Sequence, residues 1–191
     1  TKSFEEMKKI FIILVIMFSW FHKSNAHHGK LYEHLAHEFS FTGIEGEKIN
    51  LQDFKGKVIV VVNVASRCGF TNQYEDLQTL WSDYKDKNLI IIGVPTNNFK
   101  QEPGSNKDIK NFCETNFNIN FPMTEKIDVI GEKAHPFFKW AKRNHGKSAV
   151  PKWNFHKIII GKNGKVASTF SSLTKPSSKR FINLIESEIK S

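Results

Sequence analysis

The chain has 191 residues, the size of one ordinary domain and enough to bury a sizeable core. Its 39% apolar and 25% charged content are those of a soluble globular protein and exclude a disordered or multispanning membrane chain. Lys and Arg outnumber Asp and Glu by 28 to 19, but the excess is spread along the chain without a zinc-finger, basic-zipper or RNA-recognition pattern, so no nucleic-acid partner is expected.

The first 26 residues read as an export signal. Met7, Lys8 and Lys9 form a short positive segment, residues 10–21 an apolar run, and Ser24, Asn25 and Ala26 a small-residue cleavage site, with residues 1–6 upstream of a better start at Met7. Twelve apolar residues span about 18 Å as a helix, short of a bilayer core, so an exported, periplasmic protein is expected ahead of one anchored by the uncleaved segment. Residues 27–38 are polar and rich in His, without apolar periodicity, and read as a loose arm before a single domain at 39–191.

Within that domain, alternation around Phe39–Phe41 and Ile49–Leu51, with Gly43 and Gly46 between, predicts an N-terminal β-hairpin. Residues 57–64 (KVIVVVNV) are a continuous β-branched run, as in a central strand covered on both faces. A loop follows, then a helix on Tyr74, Leu77, Trp81 and Tyr84, with Asn72 and Glu75 spaced as a capping box. Residues 89–94 predict a second buried strand. Ser105 and Asp108 open another helix, with Ile109, Phe112, Cys113 and Phe117 as its apolar stripe. A short helix fits residues 135–142, two strands flank the Asn163–Gly164 turn, and a last helix carries Phe181, Leu184, Ile185 and Ile189. This order predicts an α/β fold with a mixed sheet between helices, in which the loop holding Cys68 sits at the carboxyl end of the first central strand, where open α/β sheets place their chemistry.

The chain has two cysteines, Cys68 and Cys113. In an oxidising compartment such a pair is often a structural disulfide, and that alternative stays open on the residues alone. Cys68 precedes a helix start, where unpaired amides favour an anion and hence a thiolate nucleophile. Cys68-Gly69-Phe70-Thr71 is C-x-x-T, not the C-x-x-C of disulfide oxidoreductases; no metal-ligand cluster lies near it, and no G-x-S-x-G elbow is present.

Three motifs stand in register: Asn63-Val64-Ala65-Ser66-Arg67-Cys68-Gly69-Phe70-Thr71; Val94-Pro95-Thr96-Asn97-Asn98-Phe99 with Gln101-Glu102-Pro103-Gly104; and Lys152-Trp153-Asn154-Phe155. In these the chain resembles the glutathione peroxidase family from Phe39 to about Ile189. The resemblance implies a thioredoxin-like fold and a thiol peroxidase that needs no cofactor or metal. It implies Cys68 as the peroxidatic residue, with Trp153 and Asn154 as hydrogen-bond donors to its sulfur. Cys113 matches the second, resolving cysteine of members recycled by thioredoxin-like dithiol proteins rather than glutathione. The family's fourth site residue is a glutamine; Asn98 stands in its place, one methylene shorter, in a loop one residue shorter. The short segment between Trp140 and Trp153 favours a monomer, since oligomeric relatives carry an additional loop there. A non-enzymatic redox relay, or an exported interaction domain with a static Cys68–Cys113 bridge, would share these residues.

Overall fold

The computed structural model describes residues 32–191. The expected signal segment and the front of the His-rich arm lie outside them. Four strands make the main sheet. β3 (Val58–Val64) and β4 (Leu89–Pro95) run parallel, with Val58 opposite Leu89 and Val64 opposite Pro95. β5 (Lys157–Ile160) lies antiparallel on the other side of β3, and β6 (Val166–Phe170) antiparallel to β5, giving the order β4-β3-β5-β6. A separate two-stranded hairpin, β1 (Ser40–Thr42) and β2 (Lys48–Asn50), precedes them. This is the mixed sheet and N-terminal hairpin that the sequence predicts.

Strand geometry explains the unbroken apolar run of β3. Successive side chains point to opposite faces; Val58, Val60, Val62 and Val64 join one core cluster, Ile59 and Val61 the other. The first cluster is closed by α1 (Gln73–Tyr84), α2 (Asn106–Phe117) and α4 (Lys179–Lys190), through Tyr74, Leu77, Ile109, Cys113, Phe181 and Ile185. The second is closed by α3 (Pro136–His145), through Phe137, Phe138, Trp140 and Ala141. Each fully buried Val, Ile or Phe contributes roughly 1.5–3 kcal/mol, which sets the sheet as the rigid platform of the molecule.

Two local expectations are corrected. The arm is not loose from Tyr32 onward: its ring packs 6.0 Å from that of Trp140, Trp140 Nε1 donates to the His34 carbonyl at 2.8 Å, and Ala36 N donates to the Gly164 carbonyl at 2.9 Å. Nor does Asn72 cap α1. Its backbone is already helical, and its side chain makes no cap bond. The chain enters α1 through consecutive tight turns, in which Thr71, Gln73 and Tyr74 N–H groups bond to the carbonyls three residues back, so the amides a cap would serve are already engaged. By contrast Ser105 and Asp108 do open α2 as expected, and they form a capping box, with Ser105 Oγ accepting from Asp108 N at 3.2 Å and Asp108 Oδ2 accepting from Ser105 N at 2.9 Å.

Candidate active site

β3 ends at Val64 and delivers residues 65–71 to the carboxyl edge of the sheet. Cys68 is held there by Thr71: Thr71 Oγ1 accepts from the Cys68 N–H at 3.1 Å and its hydroxyl donates to the Ala65 carbonyl at 3.0 Å. The threonine of C-x-x-T thus closes the loop that carries the thiol. Phe70 N–H points at Cys68 Sγ at 3.4 Å, a backbone donor suited to a thiolate. Cys68 is only 8% exposed, more covered than a loop position suggests.

A second segment grips this loop from the side. Glu102, fully buried, accepts with Oε2 from both the N–H and the hydroxyl of Ser66, at 2.7 and 2.9 Å. Burial pushes its carboxyl up from the usual range, and the Ser66 bonds, Lys126 and Arg67 draw it back. Its neighbour Gln101 accepts the Arg67 N–H on its backbone carbonyl at 3.1 Å.

The third segment follows α3 and precedes β5. Asn63, buried on β3, clamps it with four bonds: Nδ2 donates to the Trp153 carbonyl at 3.0 Å, Oδ1 accepts from His156 N at 3.1 Å, its carbonyl accepts from Phe155 N at 2.6 Å, and its N–H donates to the His156 carbonyl at 3.3 Å. Between these anchors Phe155 takes φ 62°, a left-handed conformation costly for a non-glycine residue and held by the surrounding bonds. Asn154 is consequently turned inward and fully buried; its Nδ2 donates to Gln101 Oε1 at 2.9 Å, while its own Oδ1 has no partner. Trp153 stays 41% exposed, its ring 5.4 Å from that of Phe99. The Ser172 hydroxyl donates to the Asn154 carbonyl at 2.6 Å, and the next residue, Leu173, is 80% exposed.

The structure therefore brings the Cys68 loop, Gln101 and Asn154 together, and it places Asn98 elsewhere. Asn98 Oδ1 accepts from Val129 N at 2.7 Å and Ile130 N at 3.3 Å, and its Nδ2 donates to Asp128 Oδ1 at 2.7 Å. The amide expected to serve the thiol ties down the 128–130 segment instead. Gln101, in the sequence only part of a Gln-Glu-Pro-Gly string, is the amide that meets Asn154, while its backbone carbonyl holds Arg67 next to Cys68. The shortened loop is the signal that could have pointed to it, because losing one residue shifts which side chain the loop presents.

Cys113 lies on the inward side of α2, 1% exposed, in the same apolar cluster as Cys68, and the two thiols are unbonded. Burial pushes the Cys113 thiol up to about 11, against the pull of the Tyr74 hydroxyl and with the Glu102 and Glu114 carboxylates adding to it. In place, it is no nucleophile at neutral pH. Among the described residues no group of three or more His, Cys, Asp or Glu side chains is placed to hold a metal ion.

Comparison with known proteins agrees with this geometry. The family model for glutathione peroxidase matches residues 36–142. Over 147 residues the chain is 42% identical to a hydroperoxy fatty acid reductase of Synechocystis sp., covering 72% of this chain and 87% of that one. Over 139 residues it is 47% identical to a glutathione peroxidase-like peroxiredoxin of Saccharomyces cerevisiae, covering 70% and 85%. Among solved structures, the apo form of Trgpx superposes with a TM-score of 0.66 at 32% identity, covering 83% of this chain and 97% of that one. A thioredoxin-family thiol:disulfide interchange protein of Chlorobium tepidum superposes at 0.61 with 14% identity, covering 79% and 92%, a likeness of fold alone. With a cysteine thiol just past the end of β3, in a loop gripped by Gln101 and Glu102 on a thioredoxin-like fold, the chain belongs to the glutathione peroxidase family and is a thiol peroxidase.

Proposed function

We propose that Cys68 reduces hydrogen peroxide and organic hydroperoxides and that Cys113 resolves the oxidised product. The Cys68 thiolate attacks the terminal peroxide oxygen; the O–O bond breaks, the sulfur becomes a sulfenic acid, and water or an alcohol leaves with the proton. The Cys113 thiol then displaces the sulfenic hydroxyl as water, forming a disulfide, and an external dithiol returns both cysteines to thiols by exchange. The single observation that carries this reading is the Phe70 N–H aimed at Cys68 Sγ in a loop fixed by Thr71, Glu102 and Gln101. On this reading the side-chain N–H groups of Gln101, Asn154 and Trp153 are donors of the kind that suits the charge developing on the leaving oxygen.

Two further features support the finer points. Trp153 and Leu173 are the large apolar side chains left exposed among the described residues; Trp153 adjoins Asn154 in the chain, and Leu173 adjoins Ser172, whose hydroxyl bonds the Asn154 carbonyl. Such exposed apolar surface suits an organic hydroperoxide, and the Synechocystis relative is named for one. A second cysteine, and a yeast relative named as a peroxiredoxin, favour a thioredoxin-like dithiol over glutathione. We take the chain to act as an exported monomer, with a mature N-terminus at or near His27, which intact-mass measurement of secreted protein checks. The functional test is steady-state consumption of hydrogen peroxide and of a fatty-acid hydroperoxide, each with thioredoxin and with glutathione. Turnover with thioredoxin is expected for both peroxides. No turnover with either reductant would leave a relay that oxidises a partner protein.

A further inference from the structure

Lys157, the first residue of β5, is fully buried, and the peroxide chemistry above makes no use of it. An ammonium removed from water is costly unless it finds partners, and methionine would fill similar volume without that cost. Lys157 Nζ does find partners. It donates to Gln73 Oε1 at 2.5 Å and to the Thr174 carbonyl at 2.7 Å. Gln73 is buried too and opens α1, five residues after Cys68; its Nε2 donates to the Ser172 carbonyl at 2.6 Å. Ser172 in turn donates from its hydroxyl to the Asn154 carbonyl at 2.6 Å. One chain of bonds thus joins the end of the thiol loop, the 171–174 segment and the backbone of Asn154.

We propose that Lys157 is a positioning residue for the oxidation of Cys68: it fixes Gln73 and the 171–174 segment, and through Ser172 it sets where Asn154 stands relative to the thiol. The proposal rests on Cys68 as the peroxidatic thiol and Asn154 as a donor near it. A donor array works only when held close to its productive geometry, and a misplacement of about 1 Å can cost roughly a hundredfold in rate. The group is also poised to titrate. Burial pushes Lys157 down to about 7, with Asp76 on α1 opposing. His156, beside it and held down at about 4 by burial and by the charges of Lys157 and Lys152, is neutral over this range. An amine still has two N–H donors for the same two acceptors, so deprotonation weakens the link by removing charge assistance and leaves it connected.

The test is the rate of Cys68 oxidation by hydrogen peroxide in a single turnover, read by rapid quench and sulfenic-acid trapping from pH 6 to 8.5. Parent, Lys157→Met and Ser172→Ala are compared, with thermal melting alongside. Lys157→Met is expected to oxidise about tenfold more slowly at pH 6, and to lose an inflection near pH 7 that the parent rate carries. Ser172→Ala keeps the lysine and cuts only the last link; it is expected to be severalfold slower while remaining folded. A folded Lys157→Met with the parent rate and profile overturns the proposal, as does Ser172→Ala at the parent rate. If Lys157→Met does not fold, Ser172→Ala decides alone. A parent protein that peroxide does not oxidise contradicts the reading of Cys68, an outcome distinct from failure of the positioning role.

Discussion

Disulfide formation is expected to involve motion of α2, and its rate should then respond to how firmly α2 is capped. A bridge needs Cα atoms within about 7 Å, and Cys113 is a protonated thiol turned into the core. The account therefore expects residues 105–117 to unwind locally once Cys68 is oxidised, delivering Cys113 to the sulfenic acid. α2 is built to open: Ile109 and Cys113 are its buried residues, against Gln73, Tyr74, Leu77 and Leu80 on α1. Asn106, Asn111, Thr115 and Asn116 are mediocre helix formers, and a cleft of about 520 Å³ adjoins Cys113, Lys110, Ile119 and Met123. Ser105→Ala removes the box in which Ser105 and Asp108 serve each other's N–H groups. Losing such a cap costs about 1 kcal/mol, which raises the open population about fivefold. Where opening precedes condensation, the disulfide should form about fivefold faster, with Cys68 oxidation unchanged because Ser105 bonds only to α2's own first turn. Rapid quench after one equivalent of peroxide, followed by alkylation and mass spectrometry, measures the rate. Amide exchange across 105–117 in the reduced and disulfide forms measures the opening. A disulfide rate unmoved by Ser105→Ala, together with equal exchange in the two forms, refutes the reasoning and makes the cysteines ready neighbours.

Asn154→Ala should slow Cys68 oxidation about a hundredfold, the loss usual for a pre-aimed donor, and Trp153→Phe should slow it less because its ring is partly exposed. Gln101→Leu frees the Asn154 amide and should cost about tenfold in the same stopped-flow measurement, whereas Asn98→Ala should leave the rate within about twofold. The cost of Asn98→Ala should appear instead in urea unfolding as about 1–3 kcal/mol, since the Val129 and Ile130 amides lose their acceptor. Stability should also depend on pH through Lys157. Its folded value of about 7 lies below the ordinary 10.5, so above pH 7 the unfolded chain keeps a proton that the folded one sheds, and stability rises with pH. The penalty is full below 7 and eases by about 2 kcal/mol between pH 7 and 9. Cys113, raised to about 11, works the other way only above about pH 9. Urea midpoints of parent and Lys157→Met across pH 7 to 9 check this; a flat or falling parent curve contradicts it.

What was legible in the sequence follows from where local pattern suffices. The unbroken run in β3 could only be a strand covered twice, so the carboxyl-edge placement of Cys68 follows from it. Asn163–Gly164 marks its hairpin because Gly164, at φ 75°, sits where other residues rarely go. The Ser105–Asp108 box reads directly because both partners lie within one turn. The Asn72 cap failed because capping depends on backbone entry angle, which Thr71 and the turns before it set. Asn98 is turned to the 128–130 segment while Gln101 meets Asn154, because loop length, with no periodicity to fix it, decides which amide points where. Glu102, Asn63 and Lys157 were silent: their partners are 36, 90 and 84 residues away in sequence, and a polar residue in a motif or strand gives no sign of being buried.

The measurement that bears most directly on the central claim is peroxide consumption by Cys68→Ser with a thioredoxin reductant. Serine is nearly isosteric with cysteine but is no nucleophile at neutral pH, so the account predicts an unchanged fold by circular dichroism and less than about a tenth of the parent kcat. A folded variant that keeps more than that tenth, a loss below about 1.4 kcal/mol in barrier, would place the chemistry on some other group.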